Sequence, residues 1–79
     1  MTSDQRTLVE VMATMMNSVA GLQQECSTHA YLISKKLPGL TPLQRKELTQ
    51  SSQYYGTLAE RTKQQATLLH QCLGAETSL

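Results

Sequence analysis

The residues best suited to chemistry in this sequence form two cysteine–histidine pairs. Cys26 and His29 lie about one helical turn apart, and His70 and Cys72 lie close together near the other end. Such groups bind zinc or serve as a nucleophile with its base. Zinc needs about four ligands in one place, and a nucleophile needs an oxyanion hole and a substrate pocket. We therefore predict no metal, no cofactor and no catalytic site, although a zinc site between two antiparallel copies stays open as an alternative.

The acidic and basic residues also lack a catalytic pattern. The only aspartate, Asp4, lies at the predicted start of the first helix, and the glutamates are scattered along predicted outer positions. General acid–base chemistry needs paired carboxylates that face one cleft. Lys46 lacks the glycines of a phosphate-binding loop. These patterns predict a protein that is not an enzyme.

A proline–glycine break divides the chain into two halves that both have helical periodicity. Pro38 disfavours helical geometry in the residue before it, and Gly39 tolerates the left-handed backbone that often follows a helix. Thr41 is a good N-cap, with Pro42 at the first helical position and Gln44 placed to complete a capping box. The first helix should therefore end at this break, and the second should begin there.

So short a connection predicts an all-α fold, an antiparallel two-helix hairpin with helices at about 3–37 and 42–73. The whole chain, 1–79, would form this single domain, with a frayed C-terminal tail at 74–79. Three leucines are expected to plug the closed end of the hairpin: Leu37, Leu40 and Leu43.

The turn also sets a height scale along the hairpin. If the chain folds back around Gly39, residues whose numbers sum to about 79 lie at similar heights. Cys26 and Cys72 would then be roughly 28 Å apart along the axis, whereas a disulfide needs Cα atoms within about 7 Å. Two free thiols, together with an N-terminus unlike a signal peptide, predict a cytoplasmic protein. No segment approaches the roughly 20 apolar residues of a membrane span.

Apolar residues in the first helix recur at alternating spacings of four and three, which predicts a bundle-type seam. This seam consists of Leu8, Met12, Met15, Val19, Leu22, Cys26, Ala30 and Ile33. Further apolar residues beside it make it wider than one neighbouring helix would cover, so a second neighbour is expected. The widening residues are Val9, Val11, Met16 and Leu32.

The second helix has a weaker seam, in which half of the positions are polar or small. It consists of Leu48, Ser51, Tyr55, Leu58, Thr62, Gln65, Leu69 and Cys72, and it is broadened by Tyr54, Ala59, Ala66, Leu68 and Leu73. The predicted outer face of the first helix is unusually poor in charge, and it is either solvated or covered in an assembly. That face carries Thr14, Asn17, Ser18, Gln23, Gln24, Ser27 and Thr28.

These seams predict a helical protein–protein interaction module, such as a small subunit, adaptor or assembly chaperone. It would bury its apolar helix faces against itself or another helical protein, as a homo-oligomer or hetero-oligomer. The methionines favour this function because flexible thioether side chains adapt to irregular partner surfaces, although plain core filling is the simpler explanation of them. The predicted partner-binding residues are Leu8, Val9, Met12, Met15, Met16, Val19, Leu22, Tyr55, Leu58 and Leu69.

A local basic cluster suggests an alternative function. The chain has a formal net charge of only +1, but Lys35, Lys36, Arg45 and Lys46 gather at the closed end of the predicted hairpin. This basic tip could contact phosphate or an acidic partner. The alternative is a small dimeric nucleic-acid-associated or regulatory protein, but the tip lacks the interleaved aromatic residues typical of nucleic-acid binding. A solvated tip is the simpler interpretation.

The arrangement of two helices around a short turn looks like the small co-chaperones of type III secretion needle subunits. It also looks like the subunits of dimeric four-helix bundles. The likeness is one of architecture, and it assigns no site residues to this chain.

Overall fold

The computed structural model is an antiparallel helical hairpin, as the sequence predicts. It describes residues 2–77, with side chains for residues 2–74. Helix α1 spans Ser3–Lys36, and helix α2 spans Pro42–Thr77. The two helices pack along their whole length in a molecule 59 Å long and 15 Å by 13 Å in cross-section. The described residues contain no strand.

Both helices begin with a capping box. The Thr2 hydroxyl accepts a hydrogen bond from the amide of Gln5, whose side chain accepts one from the amide of Thr2. Thr41 and Gln44 repeat this arrangement, with donor–acceptor distances of 3.1 Å and 2.9 Å. Each pair satisfies two amide groups that have no partner inside the helix. The predicted start of α2 is therefore confirmed.

The turn between the helices is fixed by backbone geometry and by one arginine. Gly39 has a φ of 81°, in the left-handed region that glycine adopts without strain. The Arg45 guanidinium donates a 2.8 Å hydrogen bond to the carbonyl of Ser34, one of the last carbonyls of α1. The leucine plug is largely wrong, since Leu37 and Leu43 are 50% and 65% exposed and Leu40 is half-buried. At this end of the hairpin the two helices are instead joined by the hydrogen bond from Arg45 to Ser34.

The helices touch through small residues that recur at every seventh position. This small-residue seam consists of Ala13, Ala20, Ser27 and Ser34 in α1 and Ser52, Ala59 and Ala66 in α2, and the larger Leu73 occupies the next seventh position in α2. All of them are buried except Ser52, which is half-buried. Because the distance between packed helices is set by the side chains at the contact, residues this small allow a close approach.

The predicted seam of α1 is wrong in register by one residue. Its Leu8, Met15 and Leu22 remain 60%, 61% and 62% exposed, while the residues that follow the predicted seam positions are buried or half-buried, with Tyr31 as the exception. Ser27, assigned to the outer face, is buried, and Gln23 is half-buried. The physical reason is close packing, because bulky side chains between the helices would hold the two backbones apart. In α2 the predicted seam is partly correct, since Leu48, Thr62 and Leu69 are half-buried.

The height scale set by the turn agrees with the contacts between the helices. Hydrogen bonds join residues 6 and 73, 27 and 52, and 34 and 45, and each pair of numbers adds up to 79. The first of these runs from the Arg6 guanidinium to the carbonyl of Leu73 at 3.3 Å. It ties the open end of the hairpin together, opposite the turn.

The second helix is longer than the sequence predicts. It continues through Gly74 to Thr77, so Gly74 does not end it. Gly74 also lacks the positive φ of a helix-terminating glycine. The last two residues of the predicted tail, 78 and 79, lie outside the described residues.

Candidate protein-interaction surface

The small-residue seam has one half-buried flank and one exposed flank. On the first flank Val9, Met16, Gln23 and Ala30 follow one another at intervals of seven residues, and all are half-buried. On the other flank every residue is exposed and most are polar, namely Glu10, Asn17, Gln24 and Tyr31. The hairpin therefore has two different faces, because residues seven apart lie on the same side of a helix.

Exposed apolar side chains of α1 lie beside the half-buried flank. They are Leu8, Met12, Met15, Val19 and Leu22. Together with Tyr55, Leu58 and Leu69 of α2, they form what we call the apolar face. The middle of this face contains a shallow hollow of about 380 Å³. The hollow is lined by Met12, Met15, Met16, Val19 and, from α2, Thr62.

The second helix contributes to the same face through residues around Thr62. The Thr62 hydroxyl is 2.9 Å from both the side-chain oxygen of Gln23 and the carbonyl of Leu58. Tyr55, Leu58 and Leu69 lie four or seven residues from Thr62, so they share its side of α2. Leu58 and Leu69 are half-buried, and Tyr55 is exposed.

The structure thus brings the ten predicted partner-binding residues to one side of the hairpin. Val9 and Met16 lie at the edge of the contact with α2, and the other α1 residues of the set point away from it. Tyr55 also contacts Tyr54 edge to face, with ring centroids 5.4 Å apart. A contiguous apolar surface of this kind is typical of a protein interaction site.

The four residues of the basic tip do not act as one free cluster. The Arg45 guanidinium is engaged by the carbonyl of Ser34, and the Lys35 ammonium lies 5.7 Å from the centroid of the Tyr31 ring. Lys36 and Lys46 are exposed. Part of the positive charge at the tip therefore has a role within the hairpin itself.

The cysteine–histidine pairs are not brought together. Cys26 and Cys72 are both free and exposed. Over residues 2–74, no three side chains of the His, Cys, Asp and Glu types gather at one place where they could hold a metal ion. Within the described part of the chain, neither helix contains a stretch long and apolar enough to cross a bilayer.

The residues that decide the geometry of this surface were missed by the sequence reasoning. Ala13 and Ala20 were not assigned to any seam, Ala59 and Ala66 were placed only among the residues that broaden the seam of α2, and Ser27 was assigned to the outer face. The available signal was their strict recurrence at every seventh position in both halves of the chain. Functional interpretation depends on this geometry alone, since no protein-family model, curated protein or solved structure matches the chain.

Proposed function

We propose that this chain is a non-enzymatic helical interaction module, a small subunit, adaptor or assembly chaperone. It covers its apolar face with a helical protein, either another copy of itself or a different chain. One observation carries the proposal: the helices of the hairpin contact each other through small residues, while the larger apolar side chains of α1 stay exposed.

The composition of the hairpin core supports this function. The buried apolar residues among the described side chains are four alanines and Leu73, and no large side chain among them is fully buried. Burial of apolar surface stabilises a fold by about 25 cal/mol per Å². Because an alanine side chain has little surface to bury, each alanine contributes little to the stability of the hairpin. Domains of this size usually need additional stabilisation, for example from oligomerisation. A partner on the apolar face would supply it.

The shape of the apolar face also suits a helical partner. Its α1 residues follow spacings of four and three, the pattern that packs against another helix in bundles and coiled coils. Three methionines border its hollow, and their flexible side chains adapt to the knobs of a neighbouring helix. The basic tip offers a weaker basis for function, because Arg45 and Lys35 already have partners within the hairpin.

The proposal is tested by placing a charge on the apolar face. Met15→Glu puts a carboxylate among the exposed apolar residues of α1. Asn17→Glu places the same group two residues away on the polar face, and neither position has a charged residue three or four positions away. Tagged wild-type and variant chains are expressed in the native source with an untagged copy, and the proteins they retain are quantified by mass spectrometry.

We expect the wild type and Asn17→Glu to retain the same helical protein, or the untagged copy, and Met15→Glu to lose it. Burial of an unpaired carboxylate costs several kcal/mol, which is enough to dissociate an ordinary complex. The proposal is wrong if Met15→Glu retains the same proteins as the wild type. A purified wild-type monomer with a sharp transition at high temperature would also contradict it.

A further inference from the structure

We propose that the partner on the apolar face is a second copy of this chain, packed face to face into a four-helix bundle. In this arrangement each helix runs antiparallel to its own copy, and the two first helices cross at Met15. The inference rests on the proposed function and names the partner that the function requires.

The exposed side chains of α1 are arranged symmetrically about Met15. Leu8 and Leu22 lie seven residues to either side, and Met12 and Val19 lie three residues before and four residues after. When α1 meets an antiparallel copy at Met15, Leu8 therefore faces Leu22 of the copy. The two Met15 side chains then meet, and Met12 lies within one residue, about 1.5 Å, of the level of Val19 of the copy. Every pair joins apolar groups of similar size.

The side of α2 that carries Thr62 is also symmetric, about a point between residues 63 and 64. Leu58 and Leu69 are equally far from this point, and so are Thr62 and Gln65. In an antiparallel pair of α2 helices, leucine would face leucine and a polar side chain would face a polar side chain. Polar groups that meet in an interface can satisfy each other's hydrogen bonds.

The two centres of symmetry lie at one level of the hairpin. The hydrogen bonds between residues 6 and 73, 27 and 52, and 34 and 45 join residues whose numbers add up to 79, so residues 15 and 16 lie level with residues 64 and 63, respectively. A single two-fold axis through this level would place these residues of α1 against α1 of the copy, and these residues of α2 against α2 of the copy. An interface between identical chains requires such self-complementarity, whereas an interface with an unrelated protein does not. This coincidence is the reason for choosing a second copy.

The overlapping area reaches the lower limit for a biological interface. With the axis at residue 15, α1 overlaps its copy over roughly 25 residues, or about 38 Å at 1.5 Å per residue. The hairpin is 15 Å wide, so each copy would contribute about 550 Å² and the interface about 1,100 Å² in total, above the roughly 1,000 Å² expected of a biological interface.

The positions of the charged residues allow the same face-to-face arrangement. The five exposed apolar residues that define the α1 part of the face are uninterrupted by charge on that side of the helix. Arg61, which lines a surface hollow with Tyr54 and Leu58, would lie level with Ala66 of the copy because the two numbers are symmetric about the same point. The two Arg61 side chains therefore do not meet across the axis.

A residue on the two-fold axis can be tested by crosslinking, because it meets itself in the partner. In the background Cys26→Ser, Cys72→Ser, we compare Met15→Cys with the matched control Asn17→Cys under oxidised glutathione. Both native cysteines are exposed, so their replacement should leave the fold intact. Sedimentation equilibrium of the unmodified chain is measured in parallel and does not depend on any variant.

We expect the unmodified chain to sediment at twice its mass of 8.8 kDa. Met15→Cys should form a covalent dimer in a yield at least about tenfold above that of Asn17→Cys, because only residue 15 comes within the roughly 7 Å that a disulfide spans. A dimer in which Met15→Cys crosslinks no better than Asn17→Cys would overturn the proposal.

Failure of this inference is distinguishable from failure of the proposed function. If the purified chain is a monomer at all concentrations and Met15→Glu abolishes retention of a different helical protein, the second copy is excluded and the interaction module stands. If the purified chain is a monomer and Met15→Glu changes nothing that is retained, both proposals fail. Phospholipid vesicles that bind the wild type in the absence of any dimer would likewise exclude the second copy.

Discussion

Ser27 and Ser52 exchange hydrogen bonds across the hairpin. The Ser27 hydroxyl donates to the carbonyl of Ser52 at 2.7 Å, and the Ser52 hydroxyl donates to the carbonyl of Ser27 at 2.9 Å. Each short side chain reaches the backbone of the opposite helix, so the backbones must approach closely at this level. The pair therefore fixes both the spacing and the register of the two helices.

Removal of this exchange should destabilise the hairpin. We expect Ser27→Ala to lower the free energy of unfolding by about 1 kcal/mol, the usual contribution of a hydrogen bond. The double variant Ser27→Ala, Ser52→Ala should lose less than the sum of the single variants, because both hydroxyls belong to one network. Urea unfolding at a fixed protein concentration measures these differences. Ser18→Ala, whose hydroxyl bonds only within α1, is the control, and an equal effect there would refute the role of the pair.

A larger side chain in the small-residue seam should force the helices apart. Ala20 is buried against α2, so Ala20→Leu should cost about 1–3 kcal/mol through overpacking. Asn17→Leu introduces the same side chain three residues earlier on the exposed face, where a change within about 0.5 kcal/mol is expected. Thermal unfolding followed by circular dichroism distinguishes them. If Ala20→Leu is as stable as Asn17→Leu, close approach at Ala20 is not required.

The two mid-helix glycines should respond differently to alanine. A Cβ at Gly21 would meet no atom within 4 Å beyond its chain neighbours and the backbone of its own helix, so Gly21→Ala should stabilise by about 1 kcal/mol through helix propensity. At Gly56 the new Cβ would lie 3.3 Å from the Ser27 hydroxyl oxygen, which is held by Ser52. Gly56→Ala should therefore gain less than Gly21→Ala. Equal gains in urea unfolding would show that Ser27 moves aside at no cost.

The basic tip is expected to bind polyanions only weakly. Arg45 is engaged with the end of α1 and Lys35 with Tyr31, so only part of the tip charge is available to phosphate. We predict elution from heparin at low salt, with little further change in the variant Lys35→Gln, Lys36→Gln. Salt-sensitive retention that this variant abolishes would instead favour the nucleic-acid alternative.

Most of the fold could be predicted because its signals are local. Pro38, Gly39 and Thr41 act through their own backbone preferences, so the turn and the start of α2 are visible in the sequence. The alignment of the two helices along their axes follows from the turn, because both helices advance by the same rise per residue. The end of α2 was harder to predict, since Gly74 is compatible with both a helix end and a helix interior.

The sequence by itself determined that two antiparallel helices meet at a short turn, and which side chains share a helical face. Only the tertiary structure decided which face closes the hairpin and which stays exposed. Apolar periodicity identifies residues that avoid water, but it does not distinguish contact with the other helix from contact with a partner. Close packing makes that choice, since Ala13 and Ala20 let the backbones approach while Met12, Met15 and Val19 are left on the outside.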